Sequence, residues 1–395
     1  MNGLPSWLVP ECEPLNYVSY SEWSRLRSCP LKAAFARDAR STGWIRGGIW
    51  SAAGNARHRL VEEIDVATRS GLNEPTSTWV RTRFDLLLGW ERDRLVEQWK
   101  PASVPPVKQW PDVVYVRTRL ASRLGGGDGT DWPDPNAPVA GDQHSSGGAT
   151  WHEPIAQRPA AAEHAVEVWV QDDERMLRGR VDRLEDREGR LVVVDLKAGV
   201  GASPAELVSR HRDQLLFYAA LVESAYGEWP DLELHPASDL PVPIPYEVAE
   251  VEEIRTAVEH DRASFNAALD AGGLFAAARP GATTCAWCPF QVVCPALFHG
   301  WGAVVAELEG SGSRAVSLAA GTVRTIRRFA SATDVIIEQD VDLSVPSGQV
   351  SVTRLPAALE VEVGDGLVVC GAEVAGGSQV LRARWDSRTR VENRP

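Results

Sequence analysis

Residues 176–197 read MLRGRVDRLEDREGRLVVVDLK. The pattern predicts two strands, Met176 to Glu185 and Arg190 to Leu196, joined by a turn at Asp186-Arg187-Glu188-Gly189. Residues two apart on a strand face the same side, so Asp195 and Lys197 project together from one strand end. Asp182 lies on the preceding strand, where a hairpin brings it alongside Asp195. Two converging carboxylates make a hard-oxygen site for a divalent cation. A lysine beside them can orient and help deprotonate water or hold a phosphate oxygen. An Asp-x-Lys triplet alone is a common strand-end surface pattern. Here the apolar run Leu191 to Val194 leads straight into it.

Working outward, the stretch from His164 alternates as a strand does, and Glu163 or Glu167 lies just before or within it as a further oxygen donor. Downstream, Ser203 and Pro204 open a helix that continues to about Tyr226. Gln214 and Tyr218 are four apart and share a face of that helix. Toward the N-terminus, Ser19 and Glu22 form a capping-box pattern for a helix over Tyr20 to Asp38. Further helices are expected over about 56–69 and 78–99. His58 sits in Gly54-Asn55-Ala56-Arg57-His58, one turn into the first of these, where an imidazole could complete a metal shell. Residues 125–149 are rich in Gly, Pro, Asp and Ser and read as a flexible insertion. Val242 to Val251 reads as an edge strand interrupted by prolines, and a helix follows over about 252–271. Beyond residue 304, short strand-like segments separated by turns predict a small all-β barrel, OB-like or SH3-like, over 304–395.

In order, Gly-x-x-x-His, Gly-x-x-Asp, Asp-x-Lys and Gln-x-x-x-Tyr resemble the RecB-like exonucleases of the PD-(D/E)XK superfamily, over roughly residues 17–297. Val181 stands where the superfamily's name has Pro. The resemblance implies an α/β restriction-endonuclease-like core, a mixed sheet flanked by helices, occupying residues 1–300 with N-terminal helices. It implies that His58, Asp182, Asp195 and the carbonyl of Leu196 bind Mg²⁺ or Mn²⁺. By the same resemblance Lys197 is catalytic, and Gln214 and Tyr218 contact DNA or brace the site.

Cys285, Cys288 and Cys294 lie close together, with Cys29 far upstream before Pro30. Four thiolates suit a tetrahedral zinc ion or a [4Fe–4S] cluster. The one-plus-three layout resembles the iron–sulfur RecB-like nucleases, which include AddB-type helicase–nuclease subunits and CRISPR adaptation nucleases. That resemblance implies a [4Fe–4S] cluster pinning the N-terminal helix to the C-terminal end of the nuclease core.

The chain has 395 residues, 44% hydrophobic and 24% charged, an ordinary globular composition that excludes wholesale disorder. Six cysteines are too few for a disulfide-stapled scaffold. No apolar run approaches a membrane span, and Glu11 and Glu13 argue against a secretory leader, so a cytoplasmic protein is expected. The net charge of −13 opposes non-specific coating of nucleic acid. Residues 1–60, however, carry eight Lys/Arg against four Asp/Glu. There Arg25, Arg27, Lys32 and Arg46, interleaved with tryptophans, are candidate contacts to single-stranded DNA. The resulting expectation is a metal-dependent DNA nuclease acting on single strands or ends. No Walker A loop is present, so a helicase or a CRISPR or other defence protein is a conceivable partner. Two other readings are a non-catalytic DNA-binding scaffold subunit and a zinc-stapled RNA-processing enzyme.

Overall fold

The computed structural model describes residues 9–44, 48–99, 106–110, 113–128, 131–136, 164–197, 203–236, 240–286, 288–304, 307, 318–330, 332–339, 348–355, 359–374, 380–382 and 390–394. The N-terminal capping box forms as expected, with Ser19 and Glu22 bonded reciprocally. The helix expected over Tyr20 to Asp38 is instead two, α1 (Tyr20–Ser28) and α2 (Pro30–Arg37). Pro30 causes the break. A residue preceding proline is pushed out of the helical region, and Cys29 is extended at φ −166°, ψ 119°. That break places the Cys29 thiol at a helix junction.

Helices α3 (Ile49–Arg69), α4 (Ser77–Trp99) and α5 (Val113–Leu124) pack on one another around a core that includes Leu60, Phe84, Leu88 and Leu120. Arg83 lies fully buried there, paired through two nitrogens to Glu63 at 2.6 and 2.8 Å. Residues 131–136, expected within the flexible insertion, pack on α4. Trp132 meets Trp79 edge-on at 4.4 Å, and the Pro133 and Pro135 carbonyls accept from Trp79 and Arg83. Residues 137–149 of that insertion lie outside the described residues.

The central sheet has the order β1 (His164–Asp172), β2 (Leu177–Arg187), β3 (Arg190–Lys197), β4 (Asp231–Pro236), β5 (Val242–Pro243). Only β3 and β4 are parallel, joined by the crossover helix α6 (Pro204–Tyr226). On β3, Val192, Val194 and Leu196 pack against Val61 of α3 and Leu124 of α5. Leu191 and Val193 enter the main core with Leu215, Phe217 and Leu221 of α6. A strand covered on both faces is apolar throughout rather than alternating, as residues 191–194 are. β4 was not expected from sequence. The strand expected over Val242 to Val251 covers only Val242–Pro243, because prolines 241, 243 and 245 remove ladder donors. Helix α7 (Val248–Asp270) takes the rest.

The cysteine segment forms α8 (Ala282–Ala286), a 3-10 turn at Gln291–Val293 and α9 (Pro295–His299). The C-terminal unit is a seven-stranded mixed sheet. Its strands are β6 (Leu318–Arg328), β7 (Thr333–Gln339), β8 (Gln349–Leu355), β9 (Gly366–Cys370), β10 (Glu373–Val374), β11 (Val380–Arg382) and β12 (Arg390–Arg394). The spatial order β10-β11-β8-β7-β6-β9-β12 has two free ends among the described residues, so the expected closed barrel is not formed there. One face holds its own core, including Val323, Val335, Ile337 and Val352. From the other, Leu318, Ala320, Val368 and Cys370 join the main core around the central sheet. No described helix is long and apolar enough to cross a membrane.

Candidate active site

Strands β2 and β3 pair through Arg183–Val194, after which Asp182 and Asp195 follow on either strand. Asp182 Oδ2 accepts the Leu196 amide at 2.7 Å. Asp195 is fully buried, and Lys197 Nζ lies 2.9 Å from its Oδ1 and 2.8 Å from its Oδ2. The same ammonium donates to Gln214 Oε1 at 3.0 Å. Gln214 Nε2 in turn donates to the Tyr218 hydroxyl at 3.1 Å, which fixes the amide with its oxygen toward Lys197. Burial pushes the Tyr218 phenol far up, aided by the charges of Asp195 and Asp182, so it stays protonated. Gly179 makes room for this helix. A Cβ there would stand 2.7 Å from Leu221 Cδ1 and 3.2 Å from Tyr218 Cε1.

A second cluster adjoins the first. His58 of α3, Glu167 of β1 and Asp182 each offer a ligand atom, all within 4.8 Å of one another. The flanking pairs Val166–Arg183 and Val168–Val181 put Glu167 opposite Asp182 across the hairpin. Glu167 holds φ +53°, a left-handed conformation that is costly for a residue with a side chain. Burial alternation on β1 changes phase around it: Val168 and Val170 are buried, and Ala165 on the other side of it packs against the same core. His58 Nε2 lies 3.0 Å from the Leu196 carbonyl. A carbonyl only accepts, so Nε2 carries the proton and Nδ1 faces Glu167 and Asp182, at 3.6 and 3.7 Å.

The electrostatics fit a cation. Burial, then the neighbouring Asp195 charge, raises the Asp182 carboxyl from 3.8 to about 6. Burial pulls the His58 imidazole down, but the Glu167 and Asp182 carboxylates outweigh it and the net shift is upward. Asp195 Oδ2 is buried without an aligned hydrogen bond. Converging buried carboxylates are what a divalent ion offsets, and carboxylate oxygens with one imidazole are a chemically suitable donor set. The Leu196 carbonyl, also expected as a ligand, is engaged by His58.

Of the other candidates, Glu163 and Arg46 lie outside the described residues. Arg27 pairs with Asp213 and lies 4.7 Å over the Trp23 ring, and Arg25 is half-buried. Lys32 lines a cavity together with Cys29, Cys285, Cys288 and Cys294. The break at Pro30 and the turns around Pro289 and Pro295 thus bring the four distant thiols to one place. Burial raises the Cys285, Cys288 and Cys294 thiols, Cys288 to about 12, while the Lys32 ammonium opposes the shift at Cys285 and Cys288.

Sequence reasoning missed three groups. Arg180 Nε lies 2.6 Å from Glu167 Oε2. His211 sits one turn before Gln214 on α6, and burial with the Lys197 charge pushes its imidazole down, leaving it neutral near pH 7. That spacing was its available signal. Arg57 is buried beside His58 and donates to the His235 carbonyl at 3.0 Å. The last is a tertiary contact with no local pattern.

No curated protein matches the chain. The model of the PD-(D/E)XK nuclease superfamily matches residues 17–295, a span running from the first helix through the cysteine segment and enclosing both acidic clusters. With well over half its length matched and the Asp182, Asp195 and Lys197 groups converging at one strand end, the chain belongs to the PD-(D/E)XK nuclease superfamily.

Proposed function

We propose that this chain is a RecB-like, Mg²⁺- or Mn²⁺-dependent deoxyribonuclease that hydrolyses phosphodiesters as a single-strand or end-specific exonuclease. The observation that carries the reading is the placement of Lys197. Its ammonium is fixed by Asp195 and Gln214 beside the His58, Glu167 and Asp182 cluster.

His58, Glu167 and Asp182, with Asp195 alongside, would hold a divalent ion, which would supply Lewis-acid chemistry for phosphodiester hydrolysis. Lys197 has three donors. Asp195 and Gln214 take two, which leaves one to orient the attacking water or to hold a phosphate oxygen. Tyr218 keeps Gln214 from rotating. His58 is aligned by the Leu196 carbonyl, so the Nδ1 lone pair is turned toward Glu167 and Asp182, where an ion would be held. An intact set of this kind favours an enzyme over a scaffold, because a scaffold has no use for an oriented ammonium. The test is a nuclease assay with Mg²⁺ or Mn²⁺ on single- and double-stranded DNA and on RNA. Asp195→Ala and Lys197→Ala should abolish cleavage while circular dichroism stays that of the wild type. Full activity in both would remove the assignment.

We propose further that Cys29, Cys285, Cys288 and Cys294 hold a [4Fe–4S] cluster. The support is that the four thiols line one cavity, as a four-thiolate site requires. Bound there, the cluster would tie the α1–α2 junction to the α8–α9 segment and stabilise only the folded state. Anaerobic purification with iron and zinc analysis tests it, and a colourless, zinc-loaded protein would overturn it. A cytoplasmic setting and a helicase or defence-protein partner are consistent with this reading.

A further inference from the structure

Resting on the nuclease reading, we propose that Arg180 grips the substrate: once the His58–Glu167–Asp182 cluster takes its cation, the guanidinium leaves Glu167 and binds a non-bridging oxygen of a DNA phosphodiester.

Four observations carry this. Arg180 pairs with Trp169, so it is the diagonal cross-strand neighbour of Glu167, and its Nε lies 2.6 Å from Glu167 Oε2. Second, the Arg180 side chain is 55% exposed against 19% for Glu167, and Oε2 receives no aligned hydrogen bond. The guanidinium thus already borders solvent, and what holds it is the charge of a carboxylate that a cation would take over. Third, Arg180 shares a strand face with Asp182 two residues on, which puts its fork at the rim of the cation cluster, where a bound phosphate would project. Finally, of the cations expected from sequence to meet DNA, Arg27 pairs with Asp213 and Lys32 lines the cysteine cavity.

A cation on Glu167 withdraws the negative charge that holds Arg180, and the arriving phosphate replaces it. The guanidinium therefore exchanges one anion for another, and the cation must come first. Arg180 touches substrate in this scheme, and it also restrains Glu167 in the metal-free protein.

The test uses the full chain and the variants Arg180→Gln and Arg180→Lys. Mn²⁺ binding is measured by calorimetry without DNA, and binding of a fluorescein-labelled single-stranded oligonucleotide is measured by anisotropy in Ca²⁺ across a salt series. R180Q should bind Mn²⁺ at least as tightly as the wild type. It should bind the oligonucleotide about tenfold more weakly, the scale of one charge-assisted contact. The slope of log K against log salt should shrink by about 0.7, the value for one phosphate on a single strand. R180K should keep the slope, since the charge remains, and recover part of the affinity. If R180Q leaves the salt slope unchanged, whether or not Mn²⁺ binding weakens, Arg180 is only a brace for Glu167 and the proposal fails. If the wild type shows no Mn²⁺ binding that Asp182→Asn removes, the nuclease reading fails, and this inference falls with it.

Discussion

Asp182 should limit the stability of the metal-free protein, and Asp182→Asn makes this measurable. Its carboxyl is raised from 3.8 to about 6 by burial and by the charge of Asp195. The folded state therefore holds this proton more tightly than the unfolded chain does. The associated stability is fully present below about pH 4 and is lost as pH rises through about 6. A shift of about two units corresponds to about 3 kcal/mol. With its side chain only 13% exposed, the group is little screened by solvent. Asparagine is close in shape and keeps an acceptor for the Leu196 amide, while removing the repulsion. In chelator at pH 8, D182N should be more stable than wild type by up to about 3 kcal/mol, and the gap should close near pH 4. Excess Mn²⁺ should invert the order. At a concentration a thousand times the dissociation constant the wild type gains about 4.1 kcal/mol, more than that gap, and the variant, lacking a ligand, gains little. Urea melts at both pH values, with and without Mn²⁺, read all four corners. A variant no more stable than wild type at pH 8 in chelator, or one gaining equally from Mn²⁺, would refute the reasoning.

Gly179→Ala should destabilise the fold by about 1–3 kcal/mol, an overpacking cost. The added methyl meets Leu221 and Tyr218, and activity should drop with it, as thermal melts and nuclease assays on one preparation would show. Tyr218→Phe removes the acceptor of Gln214 Nε2 and frees the amide to turn from Lys197. Turnover should fall about tenfold with KM unchanged, as expected for loss of alignment rather than binding. Glu63→Ala strands the fully buried Arg83 guanidinium in the helical core. Removing one partner of a buried pair costs about 3–5 kcal/mol, which chemical denaturation would report.

The parts of the site that lie close in sequence were legible there. The β2–β3 hairpin, the Ser203 cap and the Gln214–Tyr218 spacing are local patterns, and each forms as the residues dictate. His58 was legible as a single residue, but its alignment by Leu196 depends on α3 crossing the end of β3. β4 escaped notice because Asp231–Pro236 is six residues long and makes sense only as the parallel partner of β3. The contacts of the C-terminal sheet were hidden for a related reason. Composition changes after residue 304, yet Leu318, Ala320, Val368 and Cys370 bury their side chains in the nuclease core. Alternation along β6 and β9 shows that both faces are apolar without saying what covers the second. Glu167 enters the site through register: the pairing of β1 with β2 puts it opposite Asp182.

Register alone does not aim Glu167 at His58, and backbone strain completes the task. In a regular strand, residue 167 would share its face with 165 and 169. At φ +53° the chain instead changes phase, so that Val168 and Val170 enter the core while the carboxylate reaches Asp182 and His58. A left-handed backbone costs about 1–2 kcal/mol for residues with a Cβ and nothing for glycine. Glu167→Gly and Glu167→Ala both delete the ligand and the Arg180 pair, so their difference isolates the backbone. Glycine also loses about 0.5–1 kcal/mol through the greater freedom of its unfolded chain. The glycine variant should therefore be the more stable of the two by up to about 1.5 kcal/mol, a reversal of the ordinary order within strands. Equilibrium urea unfolding of the pair in chelator measures it. An alanine variant equal to or more stable than the glycine one would mean that position 167 keeps a regular extended backbone, and the carboxylate would then have to reach the cation from the strand's other face.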